Sequence, residues 1–180
     1  MTYKTTLMDA AAVDRALRRI SYEILEKNHG TEGLCLVGIK RRGVCVAQAI
    51  RAHIEATEGV SLPTGSLDIT LYRDDLSPEG PDPALHRIEI PFDIAGKTVI
   101  LTDDVIYTGR TVRAAIDALF SLGRPRAIRL AVLVDRGHRE LPIKADHVGK
   151  NIPTAQSEVV RVAFPEFDGG EVGVRLYDRD

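Results

Sequence analysis

Near the start of the chain, apolar residues recur at spacings of three and four positions, which is the period of a helix with one buried face. These positions are Val13, Leu17, Ile20 and Ile24. Asp9 precedes them and can cap the first turn, and Gly30 lies just beyond the last of them. The pattern predicts an amphipathic helix between Asp9 and Gly30.

Short apolar runs later in the chain are typical of strands that are buried on both faces. Such runs cover residues 34–39, 98–102 and 127–134, an alternating run covers 66–72, and two further strand patterns cover 158–164 and 171–177. Helical patterns lie between them, one reaching Ile54 and one covering residues 109–122. This alternation predicts an α/β fold with a mostly parallel twisted sheet, helices on both of its faces and a ligand site at the carboxyl ends of the strands.

Length and composition favour a single domain that spans residues 1–180. Of the 180 residues, 44% are hydrophobic and 28% are charged, which is enough to bury one core. No run approaches the roughly 18 uncharged apolar residues of a membrane span, and the N-terminus lacks the apolar segment of a signal peptide. We therefore expect a cytoplasmic protein that does not contact the membrane. Cys35 and Cys45 have no metal-ligand spacing and are expected to be buried thiols.

Charge is unevenly distributed although the formal net charge is only -2. Residues 123–150 are rich in arginine and lysine, and the tail from Pro165 onward is acidic. A local basic region favours binding of phosphates or nucleic acid, although a solvated charged surface is the more common cause. Residues 72–87 combine prolines, a glycine and acidic side chains without periodicity, which predicts a long mobile loop.

The segment from Val99 to Thr111 carries the most specific chemistry. A buried strand leads into adjacent carboxylates, Asp103 and Asp104, and then into a hydroxyl-rich turn at 107–111 that opens a helix. Backbone N–H groups and hydroxyls at a helix N-terminus suit a phosphate dianion, and Gly109 lets the backbone approach closely. The carboxylates are acceptors that suit ribose hydroxyls, directly or through a divalent cation. The pattern predicts a site for a ribose 5-phosphate.

This segment resembles the signature of type I phosphoribosyltransferases, which bind 5-phosphoribosyl-1-pyrophosphate (PRPP). In that signature an apolar strand, two acidic residues and a Thr-Gly-Arg/Lys-Thr loop follow one another. The resemblance implies that Asp103 and Asp104 are catalytic and that the next seven residues bind PRPP. These are Val105, Ile106, Tyr107, Thr108, Gly109, Arg110 and Thr111. The alternatives are a chance strand-turn-helix and a phospho-acceptor domain, but the latter would place its acidic pair after the first strand.

A turn with three positive charges directly follows the predicted strand at 34–39. Its residues are Lys40, Arg41, Arg42 and Gly43. In the resembled family the corresponding loop holds the pyrophosphate, and guanidinium groups bind such a leaving group and neutralise its charge. Alone, a charged turn is more often solvated. The position at the carboxyl end of a strand favours the functional interpretation.

Residues 133–154, together with LDITLYRDDL and GIKRRG, give a more specific resemblance that extends over nearly the whole chain. They are similar to bacterial regulators of pyrimidine-operon attenuation that are also uracil phosphoribosyltransferases. This similarity implies that Val134, Asp135 and Arg136 recognise uracil or its nucleotide, chiefly through backbone groups. A surface salt-bridge cluster is the alternative for these charged residues. Nothing in the sequence assigns His138 a catalytic role.

The resemblance also implies a reaction and a set of partners. Uracil would displace pyrophosphate from PRPP to give UMP, with Mg²⁺ carried by PRPP, while the 72–87 loop closes as a hood whose Arg73 and Arg87 meet the ligand. The expected partners are PRPP, uracil, UMP or UTP and an mRNA leader hairpin, and we expect a homo-oligomer. The alternative is a salvage enzyme without RNA regulation. A purine transferase is disfavoured by the base-recognition segment.

The predicted RNA-binding surface combines one face of the first helix with the basic segment. At roughly 100° per residue, a basic stripe with one tyrosine lies opposite the apolar positions of that helix. The predicted contacts are Arg15, Arg18, Arg19, Tyr22, Arg139, Lys144 and Lys150. Arginines engage phosphates, and an exposed tyrosine can stack on an unpaired base. An ordinary solvated face is the alternative, and Arg18 and Tyr22 stand where the resembled proteins usually carry threonine and histidine.

Overall fold

The computed structural model describes residues 1–69 and 88–179. Within these stretches the elements are β1 (Thr2–Met8), α1 (Ala10–Asn28), β2 (Leu34–Ile39), α2 (Arg42–Glu58), β3 (Thr64–Leu67), β4 (Thr98–Ile106), α3 (Arg110–Leu122), β5 (Ala127–Asp135), β6 (His147–Asn151), β7 (Glu158–Ala163), α4 (Pro165–Asp168) and β8 (Gly173–Asp178). The order of strands and helices in the centre of the chain is the one that the apolar pattern predicts.

A five-stranded sheet of order β3-β2-β4-β5-β6 forms the centre of the fold. All of its neighbouring strands are parallel, and Gly38 of β2 lies beside Thr102 of β4, which lies beside Ala131 of β5. The carboxyl ends of these three central strands therefore lie at one edge of the sheet. This confirms the predicted parallel α/β architecture.

Helices cover both faces of this sheet, also as predicted. Buried residues of α1 and α2 share one core with the sheet of β1, β7 and β8, and buried residues of α3 belong to a second core on the other face. The first helix begins where its sequence pattern indicates, because the Asp9 carboxylate accepts a hydrogen bond from Ala12 N at 2.7 Å. It ends at Asn28, and the capping residue His29 adopts a left-handed conformation.

Two strands were not predicted from the sequence, and two predicted strands lie in a different sheet. β1 is largely exposed and β6 contains a glycine and a lysine, so neither shows a buried apolar run. β7 and β8 pair antiparallel and form a separate three-stranded sheet with β1. β3 ends at Leu67, earlier than the predicted strand at 66–72. The predicted hood loop at 72–87, with Arg73 and Arg87, lies outside the described residues.

Both cysteines are buried free thiols, as predicted, and burial raises the pKa of each to about 11. In the parts of the chain that the structure describes, no helix is both long enough and apolar enough to span a bilayer.

Candidate active site

The basic turn after β2 is packed tightly against β4. A Cβ atom on Gly43 would lie 2.5 Å from the Thr102 carbonyl oxygen, and one on Gly38 would lie 2.6 Å from Val44 Cα. Only glycine permits these approaches. The buried hydroxyl of Thr102 donates to the Gly43 carbonyl at 2.7 Å. The turn of Lys40–Gly43 is therefore fixed beside Thr102, the residue of β4 that directly precedes the two aspartates.

The two predicted catalytic carboxylates lie in the last part of β4 and line a pocket together with this turn. Asp103 is only 8% exposed, and its Oδ1 accepts a hydrogen bond from Asp104 N at 2.9 Å. Burial raises the pKa of Asp104 above its ordinary value, against the opposing effects of Asp103 and of the positive charge on Arg42. A pocket of about 290 Å³ is lined by both carboxylates, by the three cationic residues of the turn and by Thr111. The structure thus brings together the predicted catalytic and pyrophosphate-binding residues.

The predicted phosphate loop lies between β4 and α3. Gly109 has a φ of 94°, a conformation that favours glycine, and Arg110 N donates to Thr108 Oγ1 at 3.3 Å. The Thr108 carbonyl accepts hydrogen bonds from Glu140 N and Leu141 N at 2.9 and 3.2 Å. A pocket of about 380 Å³ runs from Asp103 along the loop to the first turn of α3. Because the positive end of a helix dipole faces it, this pocket suits a phosphate group.

The side chain of Arg139 anchors the phosphate loop through hydrogen bonds. Its guanidinium donates to the Tyr107 carbonyl at 2.6 Å, to the Ile143 carbonyl at 2.9 Å and to Asp135 Oδ2 at 2.5 Å. Burial would raise the pKa of Asp135, but the hydrogen bonds from Arg139 and Gly137 N outweigh it and the pKa is lowered. The sequence pattern predicts that Arg139 contacts RNA. In the structure its guanidinium is instead directed at these acceptors within the protein.

Of the residues predicted to recognise uracil, Val134 is fully buried and Arg136 is 5% exposed. The Arg136 guanidinium donates to the Glu158 carbonyl at 2.7 Å and lies 4.1 Å from the centroid of the Tyr107 ring. His138 Nε2 donates to the Thr154 carbonyl at 2.6 Å. These contacts join the end of β5 to the phosphate loop and to the segment before β7. The side chain of Arg136 is thereby directed into the protein.

The residues predicted to bind RNA lie mostly on one surface, formed by α1 and β6. Arg19 Nη2 donates to the Gly149 carbonyl at 2.6 Å, which places α1 beside Lys150. Arg18 pairs with Asp14 at 2.9 Å, and Tyr22 is 50% exposed. The side chains of Arg15 and Lys144 are also exposed.

The sequence does not reveal the partner of Arg42, which is Asp168 in α4. Its carboxylate forms a two-point ion pair with Arg42, in which Arg42 Nε donates to Asp168 Oδ2 at 3.1 Å and Nη2 donates to Oδ1. The two residues are separated by 126 positions. The only signal in the sequence was the acidic character of the tail, which does not identify a partner.

Among the described residues, no group of three or more His, Cys, Asp or Glu side chains could hold a metal ion by itself. Asp103 and Asp104 nevertheless supply carboxylate oxygens, which are the ligands that Mg²⁺ prefers. The donor set therefore fits a Mg²⁺ ion whose remaining ligands come from a bound substrate.

Comparison with known proteins agrees with this geometry. A family model described as the phosphoribosyl transferase domain matches residues 5–166. The solved hypoxanthine phosphoribosyltransferase of Trypanosoma cruzi has a TM-score of 0.74 at 16% identity and covers 99% of this chain and 98% of its own. A hypoxanthine-guanine phosphoribosyltransferase of Bacillus anthracis has a TM-score of 0.70 at 20% identity, with coverage of 97% and 96%. The chain therefore has a phosphoribosyl transferase domain, and at these identities the solved structures show the fold alone.

Curated relatives identify the group within this class. Bifunctional protein PyrR of Thermus thermophilus is 58% identical over 180 residues, covering 100% of this chain and 99% of that protein. Bifunctional protein PyrR of Listeria welshimeri is 57% identical over 177 residues, with 97% of each chain covered. The chain belongs to the PyrR family of phosphoribosyl transferases. This confirms the predicted fold, family and transferase class.

Proposed function

We propose that this chain transfers the phosphoribosyl group of PRPP to N1 of uracil, and that it also binds the leader RNA of pyrimidine genes and regulates their attenuation in response to uridine nucleotides. One observation carries the transferase assignment. The basic turn, the acidic pair and the phosphate loop line two adjoining pockets that share Asp103, Val105 and Thr111. The identity of 58% with a bifunctional PyrR protein favours uracil as the base.

Each group has a role that follows from its chemistry. The N–H groups and hydroxyls of Thr108–Thr111 bind the 5-phosphate, and Asp103 and Asp104 accept hydrogen bonds from the ribose hydroxyls. As the bond from C1 to pyrophosphate breaks, its electron pair leaves with the pyrophosphate, and the cations of Lys40–Gly43 offset the developing negative charge. Asp103 and Asp104 would help to hold a Mg²⁺ ion carried by PRPP, which would neutralise further negative charge.

The sugar becomes positively charged as this bond breaks, and the carboxylates stabilise that charge. N1 of uracil then forms the new bond to C1 and releases its proton to solvent. Backbone groups around Val134, Asp135 and Arg136 hold the base. The hood at 72–87, with Arg73 and Arg87, would exclude water from the activated sugar, and it remains a prediction from the sequence.

A competition assay tests the transferase assignment. The purified protein is incubated with PRPP, Mg²⁺ and an equal mixture of uracil and hypoxanthine, and the nucleotide products are separated and quantified. We expect UMP and no IMP. Formation of IMP would assign the protein to the purine transferases, and the absence of both nucleotides would contradict the proposed reaction.

RNA binding is supported by the exposed surface of α1 and β6, where Arg15, Arg18, Tyr22 and Lys150 point away from the core. If leader RNA does not bind, the protein is a salvage enzyme alone. The cytoplasm, where PRPP and nascent RNA are found, is the proposed location. Assembly into a homo-oligomer also remains a prediction, and sedimentation of the purified chain tests it.

A further inference from the structure

Arg42 stands at the junction of two pockets. It lines the pocket that contains the acidic pair and the basic turn, and it also lines a pocket of about 520 Å³ formed with β7 and β8. Its guanidinium is paired with Asp168, the last residue of α4. The residue proposed to bind pyrophosphate therefore already has a carboxylate partner.

The geometry of the pair leaves part of the guanidinium available. Arginine has five N–H donors, and Asp168 occupies the edge formed by Nε and Nη2. One hydrogen of Nη1 and the second hydrogen of Nη2 form another edge, and the remaining hydrogen of Nη1 is directed towards the Cδ side. A planar guanidinium can bind one anion along each edge, so pairing with Asp168 is compatible with a phosphate oxygen on the second edge.

Asp168 is itself held in place by backbone contacts. Its Oδ2 also accepts a hydrogen bond from Phe164 N at 3.0 Å, which anchors the carboxylate to the start of α4. The hydrogen bond from Arg42 lowers the pKa of Asp168, so the carboxylate stays ionised at neutral pH. A fixed, ionised partner restricts a long flexible side chain that would otherwise sample many rotamers.

We infer that Asp168 is a positioning residue that holds Arg42 with its second guanidinium edge towards the pyrophosphate of PRPP. This inference rests on the proposed transferase function. Asp168 does not line the pocket that contains the acidic pair, whereas Arg42 does. By fixing the Arg42 rotamer before binding, it reduces the conformational entropy that is lost when pyrophosphate binds.

Steady-state kinetics of Asp168→Asn test the inference. We expect KM for PRPP to rise about 5- to 10-fold, with KM for uracil and kcat changed less than about 2-fold, because only the anchoring of a pyrophosphate ligand is weakened. In the reverse reaction, KM for pyrophosphate should rise by a similar factor. Asp168→Glu, which keeps the carboxylate, should recover part of the affinity. Glu166→Gln, on the same short helix, is the matched control and should leave KM for PRPP unchanged.

A double-mutant cycle separates positioning from general structure. In an Arg42→Ala background, Asp168→Asn should have no further effect on KM for PRPP. An unchanged KM for PRPP in Asp168→Asn would overturn the inference. It would also be overturned if Asp168→Asn raised KM for PRPP equally in the presence and absence of Arg42. A lower KM would also overturn it, because Asp168 would then be masking Arg42. If the unmodified protein makes no UMP, the proposed function fails, whereas normal wild-type activity with an unresponsive Asp168→Asn variant refutes only this inference.

Discussion

The phosphate loop and the surface of α1 and β6 both use arginines, but in different ways. Beside the phosphate loop, the half-buried Arg139 donates hydrogen bonds to Asp135 and to two backbone carbonyls. On α1, Arg18 pairs with Asp14 of the same helix, and the two side chains are 53% and 51% exposed. The first arginine fixes the shape of a binding loop. The second presents its charge to solvent, where a further ligand can reach it.

This difference has energetic consequences. Charge-assisted hydrogen bonds that are partly buried contribute about 1.5–3 kcal/mol each, whereas an exposed pair one helical turn apart contributes about 0.3–0.5 kcal/mol. Arg19 is intermediate, because it pairs with Glu23 and also donates to the Gly149 carbonyl. The transferase site is therefore built into the fold, while the proposed RNA surface can change at little cost in stability. This agrees with Arg18 and Tyr22, which stand where the resembled proteins usually carry threonine and histidine.

The largest effect is expected at the acidic pair. Asp103→Asn and Asp104→Asn should each lower kcat/KM for UMP synthesis by about 100-fold or more, because they remove charge that stabilises the transition state. RNA affinity at fixed salt should not change, since neither residue lies on the surface of α1 and β6. Near-normal turnover in both variants would show that the site is wrongly assigned.

The second prediction compares the two kinds of arginine directly. Arg139→Ala should lower the free energy of unfolding by about 2–3 kcal/mol and weaken PRPP binding, because the loop loses its support. Arg18→Ala should cost about 0.5 kcal/mol or less. Denaturant unfolding of both variants measures the difference. Equal losses of unfolding free energy in the two variants would show that the two arginines do not differ in their contribution to stability.

Much of this contrast could be anticipated from sequence, because the relevant signals are local. Neighbouring residues are enough to indicate three of its features. These are the strand that carries Asp103 and Asp104, the loop at Gly109 and the polar face of α1. Tertiary contacts are different. The inward direction of Arg139 and the pairing of Arg42 with Asp168 depend on segments that meet only in the folded chain. Strand β6 was missed because its residues at the sheet edge lack an apolar run.

The third prediction concerns RNA. Substituting Arg19 and Lys150 together by glutamine should weaken leader-RNA binding about 10-fold and reduce its dependence on salt, with UMP synthesis intact. Arg51→Gln, an exposed arginine on α2, is the control. Because Arg19 and Lys150 also donate to backbone carbonyls, thermal melting must first show that the variant is folded. Unchanged RNA affinity of the double variant at matched salt would show that RNA binds to a different surface.

The smallest effect is a gain of stability at the active site. Since the pKa of Asp104 is raised on folding above its ordinary value of 3.8, its ionisation destabilises the folded state, and this cost is fully present above the folded pKa. Asp104→Asn should therefore raise Tm at pH 7, by about 2–4 °C for each kcal/mol relieved. The difference should shrink as the pH falls through the raised pKa. A lower Tm at neutral pH would contradict this account of the carboxylate.

We propose that one chain combines a transferase site within the fold with an RNA surface on its exterior, and that uridine nucleotides link them. The most direct test measures the affinity of the purified protein for the leader RNA of its own pyrimidine genes, with and without UMP, at one salt concentration. We expect specific binding of the leader RNA, and we expect UMP to strengthen it. Binding no tighter than to an unrelated RNA of equal length, whether or not UMP is present, would contradict this proposal.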